Sequence, residues 1–288
     1  MAQNSAVPSY KDLLDDASKL LFDASDTPRI DAEILLQHVI SKPMAWLIAH
    51  GDSLATANHI KNFYTAISDR QTGKPIAYIT GSREFWTLNL KVNESVLIPR
   101  PDTETLVEHA LQHIPSDSHG QLLDLGTGSG AIALALAKER PDCDVYAIDS
   151  QPAALQIAQE NAELNGIKNI SFVRSNWFDD VAKTPKFNLI ASNPPYVQPG
   201  DPHLLEGDLR FEPDSALTAT ENGLSDLRQI ITAAPEYLAA QGWLIVEHGY
   251  NQEIEVAEIF TQIGYSQIRC FHDINGLPRC TIGQHTAN

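Results

Sequence analysis

The chain has 288 residues, 43% of them hydrophobic and 20% charged, with three cysteines and a net charge of −17. At about 100–200 residues per domain this length allows two domains, and the composition is that of an ordinary globular protein. No apolar run approaches the roughly 20 residues that span a bilayer. The opening "MAQNSAVPSYKDLLDD" lacks the basic start and apolar middle of a signal peptide. A cytoplasmic protein without a membrane partner is expected.

Cys143, Cys270 and Cys280 are odd in number and show no Cys-x-x-Cys spacing, which excludes a disulfide framework or a zinc site. His109 and His113 stand four apart, and they read as surface or core histidines rather than metal ligands; no metal is expected. A chain this acidic repels a polyanion, whereas duplex binders neutralise phosphates with Lys and Arg. The balance favours a protein or small-molecule substrate over direct nucleic-acid binding, and suits a cationic cofactor or a basic partner.

In chain order, "YKDLLDDASKLLF", "PRIDAEILLQHVI" and "LATANHIKNFYTAISDR" carry apolar residues at three- and four-residue spacing, the period of a helix. Breaks fall at "DASDTP", "SKP" and "GDS", where stops and caps belong. Residues 1–75 are therefore expected to form a small all-helical domain. Residues 76–98 change character: "REFWTLNLKV" alternates like a strand, with "NES" supplying a turn, and a β-hairpin linker is expected.

Residues 99–288 alternate strands and helices, which implies a parallel sheet built from βαβ units. The expected strands are "QLLDLG", "DVYAIDS", "ISFVRSN", "FNLIASN" and "GWLIVEHG", with helices "AIALALAKER", "PAALQIAQENAELNG", "LSDLRQIITAAPEYL" and "NQEIEVAEIFTQIG". "SQIRCFHD" and "RCTIG" close the chain and pair antiparallel. An α/β, doubly wound sheet ending in a hairpin is the Rossmann-like pattern of class I methyltransferases.

The first strand–helix turn, "LLDLGTGSGAIALAL", carries Gly126, Thr127, Gly128, Ser129 and Gly130. Glycines there allow a tight turn and close approach of backbone to ligand, and the helix N-terminus offers unpaired N–H groups. The spacing also satisfies a dinucleotide fingerprint, and Asp149, 21 residues after Gly128, could bind ribose hydroxyls in either case or simply cap the next helix. Asp124 favours S-adenosylmethionine, because a carboxylate orients an ammonium and repels a pyrophosphate. Trp177 could pack on an adenine ring, with Asn176 reaching its exocyclic amine; plain core packing would also explain the tryptophan.

"FNLIASNPPYV" ends a core strand on a rigid, donor-poor corner. An amide nitrogen is a poor nucleophile because its lone pair is delocalised, and it must be held by acceptors to attack a methyl sulfonium. The Asn193 side-chain oxygen and the Pro194 carbonyl can each take one N–H of an NH₂ group. Pro194 and Pro195 fix these acceptors, and Tyr196 walls the planar group. No base is required, and orientation can supply about 7–11 kcal/mol in favourable cases. The corner points to an amino-group methyltransferase.

With "LIPRPDTETLVE", "LLDLGTGSGAIALALA", "VYAIDSQPAALQIAQENA", "NPPYV", "RFEPDSAL" and "EHGYNQ", nearly the whole chain resembles the release-factor glutamine methyltransferases. The resemblance implies methylation of the glutamine side-chain amide in the Gly-Gly-Gln loop of peptide chain release factors, with S-adenosylmethionine as donor. It implies that Gly126 to Gly130, Asp149, Trp177 and Asn193 contact the donor. Asn193, Pro194, Pro195 and Tyr196 would hold the glutamine, and Arg100 to Glu104 would line the site. The helical domain would bind the substrate protein, to a monomeric enzyme. Similar proteins usually carry Asp where this chain has Asn176. Asn-Pro-Pro-Tyr alone is shared with nucleic-acid amino-group methyltransferases, and an enzyme acting on a ribosomal protein glutamine would use identical chemistry. The segment 197–223, rich in Gly, Pro and acids, is expected to be a substrate-facing loop, flexible without its partner.

Overall fold

A computed structural model describes residues 7–286. Residues 1–6 and 287–288, which fall within the expected helical and sheet domains, lie outside the described residues. The chain forms two units, one of residues 1–81 with 205–211, the other of 82–204 with 212–288.

The first unit holds α1 (Tyr10–Leu20), α2 (Pro28–Ile40), α3 (Met44–His50), α4 (Ala57–Gln71) and α5 (Ile76–Thr80). Ser9 starts α1 with a capping box, in which its hydroxyl takes the Asp12 N–H and Asp12 takes the Ser9 N–H. Pro28 sits at the first position of α2, where a missing N–H costs nothing. The apolar stripes of α1, α2 and α4 meet in one core around Leu13, Leu35, Leu36, Phe63 and Ile67. Arg70 of α4 closes it from one side, bonding the buried Asp31 of α2 at 2.7 Å.

The second unit opens with a hairpin of β1 (Ser82–Phe85) and β2 (Leu88–Lys91). Its turn is Trp86–Thr87, not the "NES" expected from the sequence. Trp86 adopts a left-handed φ of 56° that sequence reasoning assigns to Gly or Asn. Its backbone N–H bonds Glu104 and its indole N–H bonds Glu139, so neighbouring carboxylates fix the turn.

There follow α6 (Glu104–Gln112), β3 (Gln121–Leu125), α7 (Ala131–Glu139), β4 (Asp144–Asp149), α8 (Pro152–Leu164), β5 (Ile170–Arg174) and β6 (Phe187–Ser192). After β6 come α9 (Asp214–Leu217), α10 (Thr220–Gly223), α11 (Ser225–Ala233), β7 (Leu238–Glu247), α12 (Glu253–Ile263), β8 (Ser266–His272) and β9 (Pro278–Gln284). The seven-stranded sheet has the order β5-β4-β3-β6-β7-β9-β8, and β9 is antiparallel to both of its neighbours. This is the Rossmann-like methyltransferase sheet expected from the alternation. α11 is shorter than "LSDLRQIITAAPEYL" suggests, because Pro235 lies in a 3₁₀ turn that ends it. β7 accordingly begins at Leu238, four residues before the expected start.

Helices cover the sheet's faces in two cores, one with Leu122, Leu134 and Leu189, the other with Leu123, Ile190, Leu244 and Phe260. The strand order reverses between β3 and β6, and in open α/β sheets ligands bind in the crevice at such a point. No helix among the described residues is long and apolar enough to cross a membrane. His109 stacks on Phe271 and His113 lies against Trp243. Cys143 and Cys280 are buried, and all three cysteines are free.

Candidate active site

Parallel register aligns the carboxyl ends of the strands. Leu125 pairs with Ile148 and with Ser192, and Ser192 pairs with Val246. The next residues out, Gly126, Asp149, Asn193 and Glu247, therefore stand along one edge of the sheet. There a cavity of about 320 Å³ opens, wholly within the second unit.

Gly126, Thr127, Gly128 and Ser129 line the cavity, and Gly130 lies behind them as the N-cap of α7. The loop is held from three directions. The Thr127 N–H bonds the Ile148 carbonyl at 2.8 Å, and the Asn161 amide bonds the Ser129 carbonyl at 2.8 Å. The Gly128 N–H bonds Asp149 Oδ2 at 2.9 Å. Asp149 also accepts from Gln151 N–H, so it braces the loop and the start of α8 while still lining the cavity. Burial raises its carboxyl above the usual range.

Asp124 is fully buried beneath the loop and does not line the cavity. Its Oδ2 accepts from the Thr127 hydroxyl and the Ala133 N–H, at 2.7 and 3.2 Å. Its Oδ1 has no hydrogen-bond partner. Burial pushes this carboxyl up to about 7.

Trp177 lines the cavity beside Gly126 and holds a left-handed φ of 47°. Its side chain bonds the Asp226 carboxylate, a partner the sequence did not suggest. Asn176 also lines the cavity, with its amide near Asp179 at 3.3 Å.

Asn193 and Pro195 line the opposite wall; Pro194 is buried, and Tyr196 turns its hydroxyl away to Glu247 Oε1 at 3.0 Å. The Asn193 amide nitrogen donates to Thr103 Oγ1 at 3.3 Å. The Gln252 amide bonds the Tyr196 carbonyl at 3.1 Å and fixes the corner's exit. Of the segment Arg100 to Glu104, Arg100 and Thr103 reach the cavity. Asp102 instead pairs with Arg279 at 3.1 Å, and Glu104 serves the Trp86 turn.

Behind the corner lies a network that sequence reasoning missed. Glu247 is buried, hydrogen-bonded by Tyr196 and Thr103 and faced by Arg279, which also pairs with Asp273 at 2.9 Å. Burial raises the Glu247 carboxyl, opposed by Thr103, Arg279 and Tyr196. Glu212, also buried, holds Arg100 at 2.6 Å. "EHGYNQ" and "RFEPDSAL" contain these residues, but only the fold shows what they touch.

The segment 197–223 is less irregular than its composition suggests. Val197 bridges Thr218, the Val197 carbonyl takes the Ala219 N–H, and two 3₁₀ turns and short helices fill the interval. Pro213, Ser215 and Ala216 line the cavity, Leu217 is buried, and residues 205–211 group with the helical unit.

Among the described residues lining the cavity, the charged ones are Arg100, Asp149 and Asp226, and Arg100 is already paired with Glu212. The wall is therefore net anionic, which disfavours a pyrophosphate and suits a cationic ligand. The unpartnered buried oxygen of Asp124 and the open space where a Gly128 Cβ would stand fit S-adenosylmethionine, a cation with an ammonium group.

Comparison with known proteins agrees with this geometry. Residues 102–205 match the Methyltransferase small domain family, and residues 12–81 match the PrmC N-terminal domain. A release factor glutamine methyltransferase of Vibrio cholerae is 49% identical over 261 residues, 91% of either chain. One from Aliivibrio fischeri is 45% identical over 265 residues, 92% of this chain and 93% of its own. The crystal structure of a methyltransferase from Pyrococcus furiosus shares the fold, with a TM-score of 0.54 and 17% identity, covering 79% of this chain and all of that one.

Proposed function

The chain belongs to the release factor glutamine methyltransferase family, and on that premise we propose that it methylates the glutamine side-chain amide in the Gly-Gly-Gln loop of peptide chain release factors. The methyl donor is S-adenosylmethionine, whose sulfonium supplies an electrophilic methyl group. Gly126 to Gly130, Asp149 and Trp177 hold the donor, and Asn193 lies between donor and glutamine.

The observation that carries this function is the commitment of the Asn193 amide nitrogen to Thr103. That bond leaves the Asn193 side-chain oxygen as an acceptor at the cavity wall, beside a backbone corner stiffened by two prolines. A primary amide held there gives one N–H to Asn193 and the other to the Pro194 carbonyl. Its plane is then fixed while its lone pair faces the donor. The chain has no need to remove a proton first, because the nitrogen becomes acidic once it carries the methyl group and a positive charge. The proton then passes to water. The catalytic gain is one of orientation, to which preformed acceptors contribute without reorganising.

The helical unit is the substrate-binding half. Leu20, Phe22, Ile30, Ile34 and Ile48 are exposed on it, an apolar surface that a protein partner would cover. The segment 197–223 completes the substrate side, and the enzyme acts as a cytoplasmic monomer. The anionic cavity wall argues against a nucleic-acid substrate.

The test is transfer of labelled methyl to four substrates: a release factor, the same factor with the Gly-Gly-Gln glutamine replaced by alanine, ribosomal proteins, and DNA. Label is expected on the first alone. Asn193→Ala should lose on the order of 10²–10³ in kcat, as oriented polar groups in other active sites do. Label on the alanine variant, or full speed in Asn193→Ala, would overturn the assignment.

A further inference from the structure

We infer that Thr103 and Glu247 form a positioning relay that sets which way the Asn193 amide faces. The inference rests on the function proposed above and adds two residues to it. The oxygen and nitrogen of a side-chain amide occupy nearly the same shape, so packing alone cannot choose between its two orientations. Hydrogen-bond partners must choose, and at this corner the choice decides whether an acceptor or a donor meets the substrate.

The choice follows from counting protons. The Thr103 hydroxyl has one proton to give and lone pairs to receive. It stands between the Asn193 amide, 3.3 Å away, and the Glu247 carboxyl. A hydrogen bond to an ionised carboxylate is roughly twice as strong as one between neutral groups. The Thr103 proton therefore goes to Glu247, and only lone pairs remain for Asn193. Asn193 must then present its NH₂ to Thr103, which turns its oxygen toward the cavity. Were the Thr103 proton free to point at Asn193, the flipped amide would be equally well bonded and would offer the substrate a second donor.

Glu247 does the same for Tyr196, whose single hydroxyl proton it accepts at 3.0 Å. Arg279 faces the same carboxylate and favours its charge, and is itself anchored by Asp102 and Asp273. The relay is assembled by the sheet. Ser192 lies opposite Val246, and Glu247 lies opposite Cys280, so Asn193, Glu247 and Arg279 occupy neighbouring strand ends. Thr103 enters from the 3₁₀ turn Pro101–Thr103.

Three variants test the relay. Thr103→Val keeps the shape but neither accepts from Asn193 nor donates to Glu247, and Thr103→Ser restores both. Glu247→Gln removes the charge that directs the proton. Methyl transfer to a release factor is expected to fall on the order of 10–100-fold in kcat for Thr103→Val and Glu247→Gln. The KM for S-adenosylmethionine should stay within about twofold, and Thr103→Ser should recover most of the rate. A second readout needs no activity: the Asn193 side-chain NH₂ resonances of protein labelled with ¹⁵N-asparagine, assigned by their loss in Asn193→Asp. Their exchange with water should be slow in the native protein and in Thr103→Ser, and fast in Thr103→Val. If the native enzyme methylates no release factor, the proposed function fails while the NH₂ exchange still decides the relay. Should Thr103→Val not fold, Thr103→Ala and Glu247→Gln carry the same comparison. Full kcat in Glu247→Gln, or NH₂ exchange in Thr103→Val equal to that of the native protein, would overturn the relay.

Discussion

Gly128 and Gly130 sit two residues apart in one loop, both with left-handed backbones, at φ 54° and 86°. Alanine at either must adopt that conformation, at roughly 1–2 kcal/mol. The surroundings then separate the two. A Cβ at Gly130 would stand 2.9 Å from a Leu134 methyl and 3.2 Å from the Ala158 Cβ, both inside the packed interior of α7 and α8. Overpacking of this kind adds about 1–3 kcal/mol, so Gly130→Ala should cost about 2–5 kcal/mol in all. A Cβ at Gly128 meets nothing within 4 Å, and Gly128 lines the cavity. Gly128→Ala should therefore lose only the backbone cost in stability, while its methyl group occupies space meant for the donor. The assay pairs denaturant unfolding of each variant with calorimetric titration of S-adenosylmethionine. Gly130→Ala should show the larger stability loss, and Gly128→Ala the larger loss of affinity, at least tenfold. Equal affinity of Gly128→Ala and the native protein would refute the placement of the donor against this loop. Equal stability losses would refute the steric argument at Gly130.

Two further outcomes follow from buried groups. Burial holds the Asp124 carboxyl at about 7 in the fold against 3.8 when unfolded, so the folded state keeps a proton that the unfolded state gives up. This group makes the protein less stable as pH rises from about 4 through 7, by roughly 4 kcal/mol at full ionisation. Asp124→Asn should flatten that share of the pH–stability curve, measured without donor; an unchanged slope would show that the carboxyl titrates normally. In the helical unit, Ser9→Ala removes both bonds of the capping box of α1 and should cost about 1 kcal/mol, with Ser9→Gly closer to native. Denaturant unfolding followed by circular dichroism measures it, and donor affinity should not change.

The parts of this molecule that were legible in its sequence are those whose cause is local. Helical period, proline punctuation and caps act within a few residues, so α1, α2 and α4 stand where their apolar spacing puts them. The glycine loop and Asn-Pro-Pro-Tyr were legible for a related reason. Each is a contiguous run in which a strand must end and backbone must come close to a ligand. The misplaced features had non-local causes. The Trp86 turn needs Glu104 and Glu139 to bond a tryptophan into a left-handed conformation, and no property of "FWTL" foretells them. β7 begins early because Leu238 pairs with Phe187, a contact across 51 residues of sequence.

The relay behind Asn193 is the strongest case. Read alone, "WLIVEHG" is an apolar strand with a glutamate at its exit, and an acidic residue at a strand end is ordinarily solvated. Burial makes this one different: Glu247 is 1% exposed, and a charge taken out of water is tolerated only when paired and hydrogen-bonded. Its partners Thr103, Tyr196 and Arg279 come from four separate stretches once Glu247 itself is counted, and registers between strands set their adjacency. Register is a property of the assembled sheet, fixed by which faces are buried and not by spacing along the chain. The acceptors that meet a substrate can thus be read from a tetrapeptide, while the groups that keep those acceptors turned the right way emerge only when β6, β7 and β9 lie side by side.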